Sequence, residues 1–355
     1  MPEVNDDAPA VLLYTSGTTA RPKGVTHTHR TLLEIVSLVS RIAPDSLRTM
    51  LVMSPMAYIS GVVFGLLSPI LAGGTCVLVR SFDPPLVLDL MERFRCTANL
   101  GVPAMVQFLV EEQTRKPRDV RSLGTFIVGG DSVPVSTQER FRALFGIPIR
   151  EGYAMTETGP SICNPADAIR PGSLGKPLYG VEVRIVDADG NDAPDGKVGE
   201  IAVRSPANCA GYWDDPVATR AALREGWLYS GDLAQRDSDG YFWFEGRKKE
   251  IIVREGFNIS PQEVEEAIHG HPAVLEVAVI GLPDPVAARG ERILAFVALR
   301  EGLVAQEQEL KDHARQRLAD IKVPEKIVFL KSLPKGITGK IQRRALKEMP
   351  PAVVA

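Results

Sequence analysis

Hydroxyl side chains, glycines and one lysine are concentrated near the beginning of the sequence, between positions 14 and 25. Glycine adopts backbone angles that let successive N–H groups point at one spot, and such a concave nest of amides binds anions, phosphate above all. Hydroxyl groups and a lysine ammonium add donors and positive charge to the nest. The stretch therefore predicts a loop that holds the phosphates of a nucleotide, with an ordinary turn between a strand and a helix as the alternative. The candidate ligands are Thr15, Ser16, Gly17, Thr18, Thr19 and Lys23.

The spacing within this loop differs from that of a Walker loop. Lys23 comes too late after Gly17 for that motif, and Gly24 stands where the motif requires Ser or Thr. An apolar run at positions 10–13 precedes the loop and predicts a buried strand.

The elements that must position the loop alternate between strand and helix as far as about residue 150. Short apolar runs predict the strands, and apolar residues at helical spacing separate them. This alternation favours an α/β domain with a largely parallel sheet. Because ligands collect beyond the carboxyl ends of the strands in such sheets, we expect residues 14–25, 129–131 and 151–157 at that edge.

The pattern changes from about residue 173, where apolar and polar residues alternate and predict antiparallel β structure. A boundary is predicted near residues 246–250. Beyond it, Ser260 and Glu263 have the spacing of a capping box, with Pro261 at the first helical position. The sequence thus predicts a large α/β N-terminal domain, truncated at its start, with an antiparallel β subdomain and a small α+β C-terminal domain. The predicted boundaries give an α/β core at residues 1–172, a β-rich subdomain at 173–246 and a C-terminal domain at 247–355.

Composition and charge argue against a nucleic-acid-binding, membrane-spanning or disulfide-rich protein. The 355 residues carry a formal net charge of −3, which implies no general attraction to nucleic acid or to a membrane surface. The four cysteines form no CxxC pair, so a reducing cytoplasm is the expected location. The longest apolar stretch, 61–73, is shorter than the roughly 20 residues that a membrane-spanning helix needs. His27 with His29, and His269 with His271, are spaced like metal ligands, but nothing nearby completes a ligand set.

Four separated stretches form one ordered pattern. The loop at 14–25 is followed by Gly-Tyr-Ala-Met-Thr-Glu at 152–157, by Tyr-Ser-Gly-Asp-Leu at 229–233 and by Gly339-Lys340. In this order they resemble the adenylate-forming superfamily, which contains acyl-CoA synthetases, the adenylation domains of peptide synthetases and luciferases. The resemblance covers the chain from about residue 10 to its end.

The resemblance implies a reaction in two steps. A carboxylate attacks the α-phosphate of ATP, giving an acyl-adenylate and pyrophosphate, and a thiol, usually that of coenzyme A, then displaces AMP. The first step brings negative charges together, so cations and hydrogen-bond donors must offset them. The implied cofactors are ATP, Mg²⁺ and coenzyme A, and the implied substrate is a small-molecule carboxylic acid.

The resemblance also implies which residues handle the phosphates. The loop from Thr15 to Lys23 would bind the triphosphate, and Thr156 would contact the phosphates. Glu157 would hold Mg²⁺, a hard cation that prefers carboxylate oxygen. Lys340 would reach the site as the cation that bridges the carboxylate and the α-phosphate during adenylation.

A second set of implied roles concerns the nucleoside. Asp232 would accept hydrogen bonds from both ribose hydroxyls, Arg247 would support the ribose and phosphate side, and Phe244 would pack near the nucleoside. The residues that would line the adenine pocket are Gly130, Asp131, Glu151, Gly152 and Tyr153.

Lys249 falls at the hinge position of the superfamily. The resemblance implies that the C-terminal domain rotates there between the two half-reactions, which a residue at a domain boundary can absorb. One orientation would bring in Lys340. The other would present the loop formed by Glu255, Gly256 and Phe257, where the pantetheine arm of coenzyme A would enter.

The sequence departs from the superfamily pattern in places. Ala20 occupies a loop position that is commonly glycine, Tyr58 stands where many relatives have histidine, and Asp131 stands where a small residue is common. The usual N-terminal region, about one domain in size, does not precede the phosphate loop. We therefore expect exposed apolar surface, and homo-oligomerisation as one consequence.

Three functions are consistent with these patterns. The favoured hypothesis is an acyl-CoA ligase that acts on a hydrophobic carboxylic acid, since the set of ATP motifs is complete and residues 61–63, 128–129 and Met155 suggest an apolar pocket. One alternative is an adenylation enzyme that loads a separate carrier protein. The other is a truncated nucleotide-binding remnant without full activity.

Overall fold

The computed structural model describes residues 5–15, 22–43, 47–130, 132–284, 286, 289–336 and 340–349. The chain divides into two compact units: residues 1–230 with 234–244, and residues 231–233 with 245–355. Within the described ranges, no helix combines the length and the apolar character that crossing a membrane requires.

The first unit begins by alternating strands with helices. Its elements to residue 155 are β1 (Pro9–Thr15), β2 (Lys23–Thr28), α1 (His29–Ile42), β3 (Thr49–Val52), a π-helix (Ser60–Leu67), α2 (Ser68–Leu71), β4 (Thr75–Leu78), α3 (Pro84–Phe94), β5 (Ala98–Gly101), α4 (Pro103–Arg115), β6 (Thr125–Val128), α5 (Val135–Phe145) and β7 (Ile149–Met155). The elements that follow are β8 (Gly159–Cys163), β9 (Lys176–Pro177), β10 (Glu182–Val186), β11 (Gly199–Arg204), β12 (Gly211–Tyr212), α6 (Pro216–Ala222), β13 (Leu223–Arg224), β14 (Trp227–Arg236) and β15 (Phe242–Arg247).

A seven-stranded sheet runs through this unit in the order β4–β3–β5–β6–β7–β8–β9. The first five strands are parallel, and β8 and β9 extend the sheet through antiparallel pairings. Both faces are buried: Met50 and Val52 pack into the core that contains α1, whereas Leu51 and Met53 pack into the core of α3, α4 and α5. The predicted α/β domain with a largely parallel sheet is confirmed.

Two further sheets complete the unit, with antiparallel pairs β1–β2, β2–β12, β10–β11 and β13–β14. One has the order β1–β2–β12, and the other has the order β10–β11–β14–β13 with β15 paired to β14. The antiparallel β structure expected beyond residue 173 is therefore present. Strands β14 and β15 contribute residues to both compact units.

The strand before the phosphate loop forms, but it differs from the expectation in two ways. Within β1 only Leu13 is buried, because β1 is the edge strand of its sheet. The chain then returns as β2, antiparallel to β1, with Thr15 opposite Lys23. The loop thus joins two strands of a hairpin in a separate sheet, so the expectation that it follows directly from a strand of the parallel sheet is wrong.

Residues 151–157 were also expected in a loop, and most of them belong to a strand. β7 continues to Met155 because β8 returns beside it and supplies hydrogen-bond partners from Gly152 to Met155. Gly159 follows the turn at φ +63°, in the left-handed region that favours glycine. Of the residues predicted in this loop, only Thr156 and Glu157 lie in the turn between β7 and β8.

The second unit is smaller and mixes helices with strands, as predicted. Its elements are β16 (Ile252–Arg254), β17 (Phe257–Ile259), α7 (Pro261–His269), β18 (Val274–Pro283), β19 (Glu291–Leu299), α8 (Glu307–Arg315), a 3₁₀-helix (Asp320–Lys322), β20 (Lys326–Phe329) and α9 (Arg343–Lys347). β16 and β17 form a hairpin, and the central sheet has the order β18–β19–β20. Alternate residues of β18 pack into two cores, Val277 and Val279 in one and Ala278 and Ile280 in the other.

The capping box predicted at the start of α7 is wrong. Pro261 does occupy the first turn, but Ser260 makes no side-chain capping bond, and its buried hydroxyl has no hydrogen-bond partner among the described residues. Glu263 pairs instead with Lys322, whose Nζ lies 2.6 Å from Oε1. Because Glu263 forms this ion pair with a residue distant in sequence, its side chain does not cap the start of α7.

Candidate active site

The described ends of the phosphate loop meet at the mouth of the β1–β2 hairpin. Thr15 and Lys23 are paired residues, and the Thr15 hydroxyl lies 3.5 Å from the carbonyl oxygen of Lys23. The hairpin therefore fixes where the loop begins and ends. The predicted ligands Ser16, Gly17, Thr18 and Thr19 lie outside the described residues.

Lys23 and Glu157 are brought together by a residue that the sequence analysis missed, Tyr212. The Tyr212 hydroxyl donates to Oε1 of Glu157 at 2.9 Å, and Nζ of Lys23 lies 4.7 Å from the centroid of the Tyr212 ring. Burial, and next the neighbouring Glu157 carboxylate, raise the pKa of the Tyr212 phenol above its usual range. The phenol is therefore protonated at neutral pH and acts as the donor.

Strand β12 places Tyr212 in this position. Tyr212 pairs with Val25 of β2, and its backbone N–H donates to the Thr219 hydroxyl at 2.9 Å. Just before it, the Cys209 N–H donates to the carbonyl oxygen of Glu157 at 2.7 Å. Glu157 is thus held by this segment through its backbone as well as through its carboxylate.

Thr156 is tied to β2 by a buried histidine. Nε2 of His27 lies 2.7 Å from the Thr156 carbonyl oxygen, and Nδ1 lies 3.0 Å from the Thr31 hydroxyl. A carbonyl oxygen only accepts, so Nε2 carries the proton of the neutral ring. Burial lowers the pKa of His27, outweighing the opposite effect of the bond to Thr156. Because both nitrogens are engaged, His27 does not serve as a metal ligand.

Glu151, one of the residues expected near adenine, is a buried structural anchor. Its carboxylate accepts from the N–H of Val133 at 2.8 Å, from Nε2 of Gln138 at 2.7 Å and from the N–H of Gly172 at 3.0 Å. These bonds attach two loops to β7. The Tyr153 side chain is likewise buried, in the core that contains α1.

The glycines expected near adenine occupy positions that exclude a side chain. A Cβ at Gly152 would lie 2.8 Å from the Ile162 carbonyl oxygen across the β7–β8 pair, and Gly130 has φ +92°. Glycine is therefore favoured at Gly152 by close packing and at Gly130 by its backbone angle. Asp131 lies outside the described residues. The contribution of these residues to adenine binding stays a prediction.

Asp232 and Arg247 belong to the second unit and are neighbours there. Nε of Arg247 lies 3.4 Å from Oδ1 of Asp232, with the carboxylate mostly buried and the guanidinium half-exposed. Phe244 belongs to the first unit and packs, partly buried, against the core that contains α1. Lys249, the expected hinge, is exposed.

The loop expected to meet coenzyme A is a two-residue hairpin turn. Arg254 pairs with Phe257, and the two residues between them, Glu255 and Gly256, have φ of +49° and +83°. Two consecutive positive φ angles are typical of a type I′ turn. The Glu255 N–H donates to the Arg289 carbonyl oxygen at 2.9 Å, and Phe257 is 60% exposed.

Lys340 lies exposed next to residues outside the described part of the chain. Its carbonyl oxygen accepts from the Gly336 N–H at 2.9 Å, so residues 336 and 340 close a small loop. After it, the Arg343 guanidinium forms two hydrogen bonds to the Glu265 carboxylate on α7, at 2.8 and 2.9 Å. This pair secures the chain just beyond Lys340.

The chain is similar to known proteins in both sequence and fold. The sequence matches the model of the AMP-binding enzyme family over residues 1–213 and the AMP-binding enzyme C-terminal domain over residues 263–340. It is 38% identical to a sulfoacetate–CoA ligase of Cupriavidus necator, over 98% of this chain and 68% of the relative. It is 36% identical to a long-chain-fatty-acid–CoA ligase of Bacillus subtilis, over 96% of this chain and 61% of the relative.

Solved structures agree with this relationship. ATP-bound MatB from Rhodopseudomonas palustris superposes with a TM-score of 0.90 at 32% identity, covering 97% of this chain and 69% of that one. An anthranilate CoA ligase in complex with anthranoyl-AMP superposes with a TM-score of 0.90 at 29% identity, covering 98% of this chain and 68% of that one. The chain thus spans roughly two thirds of the length of the proteins it matches.

Proposed function

Because this chain belongs to the AMP-binding enzyme family and is a ligase of the acid–thiol type, we propose that it activates a carboxylic acid with ATP and transfers the acyl group to coenzyme A. The products are an acyl-CoA thioester, AMP and pyrophosphate. The observation that carries the proposal is the cluster of Lys23, Tyr212 and Glu157 beside Thr156. It places a cation, a carboxylate and hydrogen-bond donors at the end of the phosphate-loop hairpin.

The residues of this cluster fit Mg²⁺. Glu157 offers carboxylate oxygen, the ligand class that this hard cation prefers. The Tyr212 hydroxyl takes up one of the roughly four acceptor sites that a carboxylate provides. Bound Mg²⁺ would supply positive charge against the phosphate oxygens. Lys23 would add a mobile cation for the pyrophosphate that leaves, and Thr156 would donate to the phosphates.

The remaining roles follow the resemblance. Asp232 would accept from the ribose hydroxyls, with Arg247 beside it, and this pair is already formed in the second unit. Lys340 would carry the positive charge needed when the carboxylate attacks the α-phosphate. The exposed hairpin turn at residues 255–257 would bind the pantetheine arm of coenzyme A.

We further propose that the acid is hydrophobic. Val62 and Met155 are partly buried side chains that pack against the same core, next to Gly61 and Val63. They offer apolar surface for an acyl group. The named substrates of the relatives, from sulfoacetate to long-chain fatty acids, differ too much to select one.

The test is an incubation with ATP, Mg²⁺, coenzyme A and a panel of aliphatic, aromatic and sulfonated acids. We expect AMP and a thioester in equal amounts, with apolar acids preferred. Glu157→Gln should abolish AMP formation, whereas Glu182→Gln, at an exposed carboxylate paired with Arg204, should not. Failure of every acid to give both products would refute the ligase function. Preference for the sulfonated acid would refute only the hydrophobic specificity.

A further inference from the structure

Tyr212 touches both the phosphate-loop lysine and the proposed metal-binding carboxylate. We propose that Tyr212 is a positioning residue for ATP binding: its hydroxyl orients Glu157 toward Mg²⁺, and its ring orients Lys23 toward the phosphates. The inference rests on the proposed function. It adds a residue that no superfamily motif quoted above contains.

The Tyr212 hydroxyl acts on Glu157. A carboxylate on a turn can rotate about its side-chain bonds, which scatters its oxygens relative to a metal ion. The bond from Tyr212 to Oε1, at 2.9 Å, removes that freedom. Hydrogen bonds from outer residues commonly orient metal-binding side chains in this way, and their loss typically weakens metal affinity about 10- to 100-fold.

The Tyr212 ring acts on Lys23. Its ammonium lies 4.7 Å from the ring centroid, within the range of a cation–π interaction. The ring thus restricts a long, flexible side chain without neutralising its charge. A carboxylate partner would instead compete with phosphate for the ammonium, so an aromatic partner suits a lysine that must bind an anion.

The position of Tyr212 is itself rigid. The segment that carries it is hydrogen-bonded to Glu157 through Cys209 and to β2 through Ala210, whose N–H donates to the Thr26 carbonyl oxygen at 2.9 Å. The residue before it, Gly211, has φ +130°, and a Cβ there would lie 2.7 Å from the Thr219 side chain. Tyr212 can therefore hold its two partners in a fixed relation.

Two substitutions separate the effect of the Tyr212 hydroxyl from that of its ring. Tyr212→Phe removes only the hydroxyl, and Tyr212→Leu removes the ring as well. We measure equilibrium ATP binding by calorimetry, once with Mg²⁺ and once with EDTA. Tyr212→Phe should weaken binding about tenfold with Mg²⁺ and leave binding in EDTA within about twofold of wild type. Tyr212→Leu should also weaken binding in EDTA, by about two- to fivefold.

Tyr241 provides a matched control. Its hydroxyl donates to the Ala168 carbonyl oxygen at 2.6 Å, and Nζ of Lys176 lies 4.7 Å from its ring centroid. Tyr241→Phe thus removes an equivalent bond from an equivalent ring outside the proposed site. It should change ATP binding in neither condition.

The outcomes distinguish this inference from the proposed function. Wild-type protein that binds no ATP with Mg²⁺ refutes the nucleotide site as a whole. If wild type binds but Tyr212→Phe loses affinity equally with and without Mg²⁺, or loses none, the positioning role is overturned. In a Glu157→Gln background, Tyr212→Phe should have no further Mg²⁺-specific effect, and additive losses would also overturn it. Should Tyr212→Phe unfold more readily, the ratio of its affinities with and without Mg²⁺ still decides, because a general loss of folded protein lowers both. For Tyr212→Leu, the calorimetric stoichiometry gives the fraction of binding-competent protein, and the affinity is compared per competent molecule.

Discussion

The buried link from His27 to Thr156 leads to a prediction about stability and its dependence on pH. His27→Leu keeps an apolar body of similar size but removes the bonds to Thr156 and Thr31. His27→Gln can still place an amide N–H near the position of Nε2. The comparison isolates the hydrogen bond to the Thr156 carbonyl oxygen, which lies 2.7 Å from Nε2 in the native protein.

The magnitude follows from burial. Leaving a buried carbonyl without its donor costs about 1–3 kcal/mol, and losing the Thr31 bond costs about 1 kcal/mol more. His27→Leu should therefore lower the free energy of unfolding by roughly 2–4 kcal/mol. His27→Gln should lower it by about 1 kcal/mol, since the donor to Thr156 is retained.

The pH dependence has a definite sign. Burial lowers the pKa of His27 in the folded chain below the unfolded value of 6.5. Above that value both states are neutral, and this residue contributes no pH dependence. Below it the unfolded state binds a proton that the folded state does not, so stability falls as pH falls, by up to about 1.4 kcal/mol per pH unit, until the folded pKa is reached. Either substitution removes that slope.

Tryptophan fluorescence during urea unfolding is a suitable assay. The three tryptophans, Trp213, Trp227 and Trp243, all belong to the first unit, so the signal reports the unit that contains His27. Burial also lowers the pKa of His313. That residue lies in the second unit, so it does not contribute directly to the unfolding signal of the first. An identical slope in wild type and His27→Leu between pH 5 and 7, or a His27→Gln no more stable than His27→Leu, would refute the reasoning.

Three further predictions concern adenylation, packing and thioester formation. Lys340→Ala should slow adenylation about a hundredfold, while thioester formation from a supplied acyl-adenylate is spared; equal loss in both assays contradicts two separate half-reaction orientations. Gly159→Ala should destabilise the first unit by about 1–3 kcal/mol in the fluorescence assay, because its Cβ would lie 2.8 Å from the Ile35 side chain at a φ of +63°. Gly256→Val should slow thioester formation and spare adenylation, whereas Gly302→Val, at a similar φ of +76°, should slow neither.

The parallel sheet was predictable because its strands are short apolar runs separated by helical periodicity. Residues of β6, for example, are all buried, and the sequence there reads Thr-Phe-Ile-Val. The hydrophobic effect alone selects such a segment for the interior. In the second unit, the long strands β18 and β19 are likewise apolar and mostly buried.

Strand β2 was missed for the opposite reason. Its sequence, Lys-Gly-Val-Thr-His-Thr, is largely polar, yet every residue from Gly24 to Thr28 is buried. Periodicity of apolar residues cannot reveal a strand whose buried positions include polar side chains. The buried His27 ring forms hydrogen bonds to the Thr31 hydroxyl and to the Thr156 carbonyl oxygen. These partners are known only once the fold brings residues 27 and 156 together.

Tyr212 was missed because its two partners are far away in sequence. It lies 55 residues from Glu157. No helical or strand spacing connects such positions, and a Gly-Tyr pair is not by itself a motif. The resemblance supplied the residues that touch ligands, but it did not supply the side chains that hold them.

The sheet formed by β1, β2 and β12 explains why these links occur together. β2 is its central strand. Lys23 begins β2, His27 near its end is bonded to Thr156, and the neighbouring strand β12 carries Tyr212 to Glu157. β2 thus positions Lys23, Thr156 and Glu157 relative to one another, although these residues come from distant parts of the chain. A shift of β2 must therefore displace the phosphate and metal ligands as a set, whereas a change on the exposed face of the edge strand β1 should leave their mutual geometry intact.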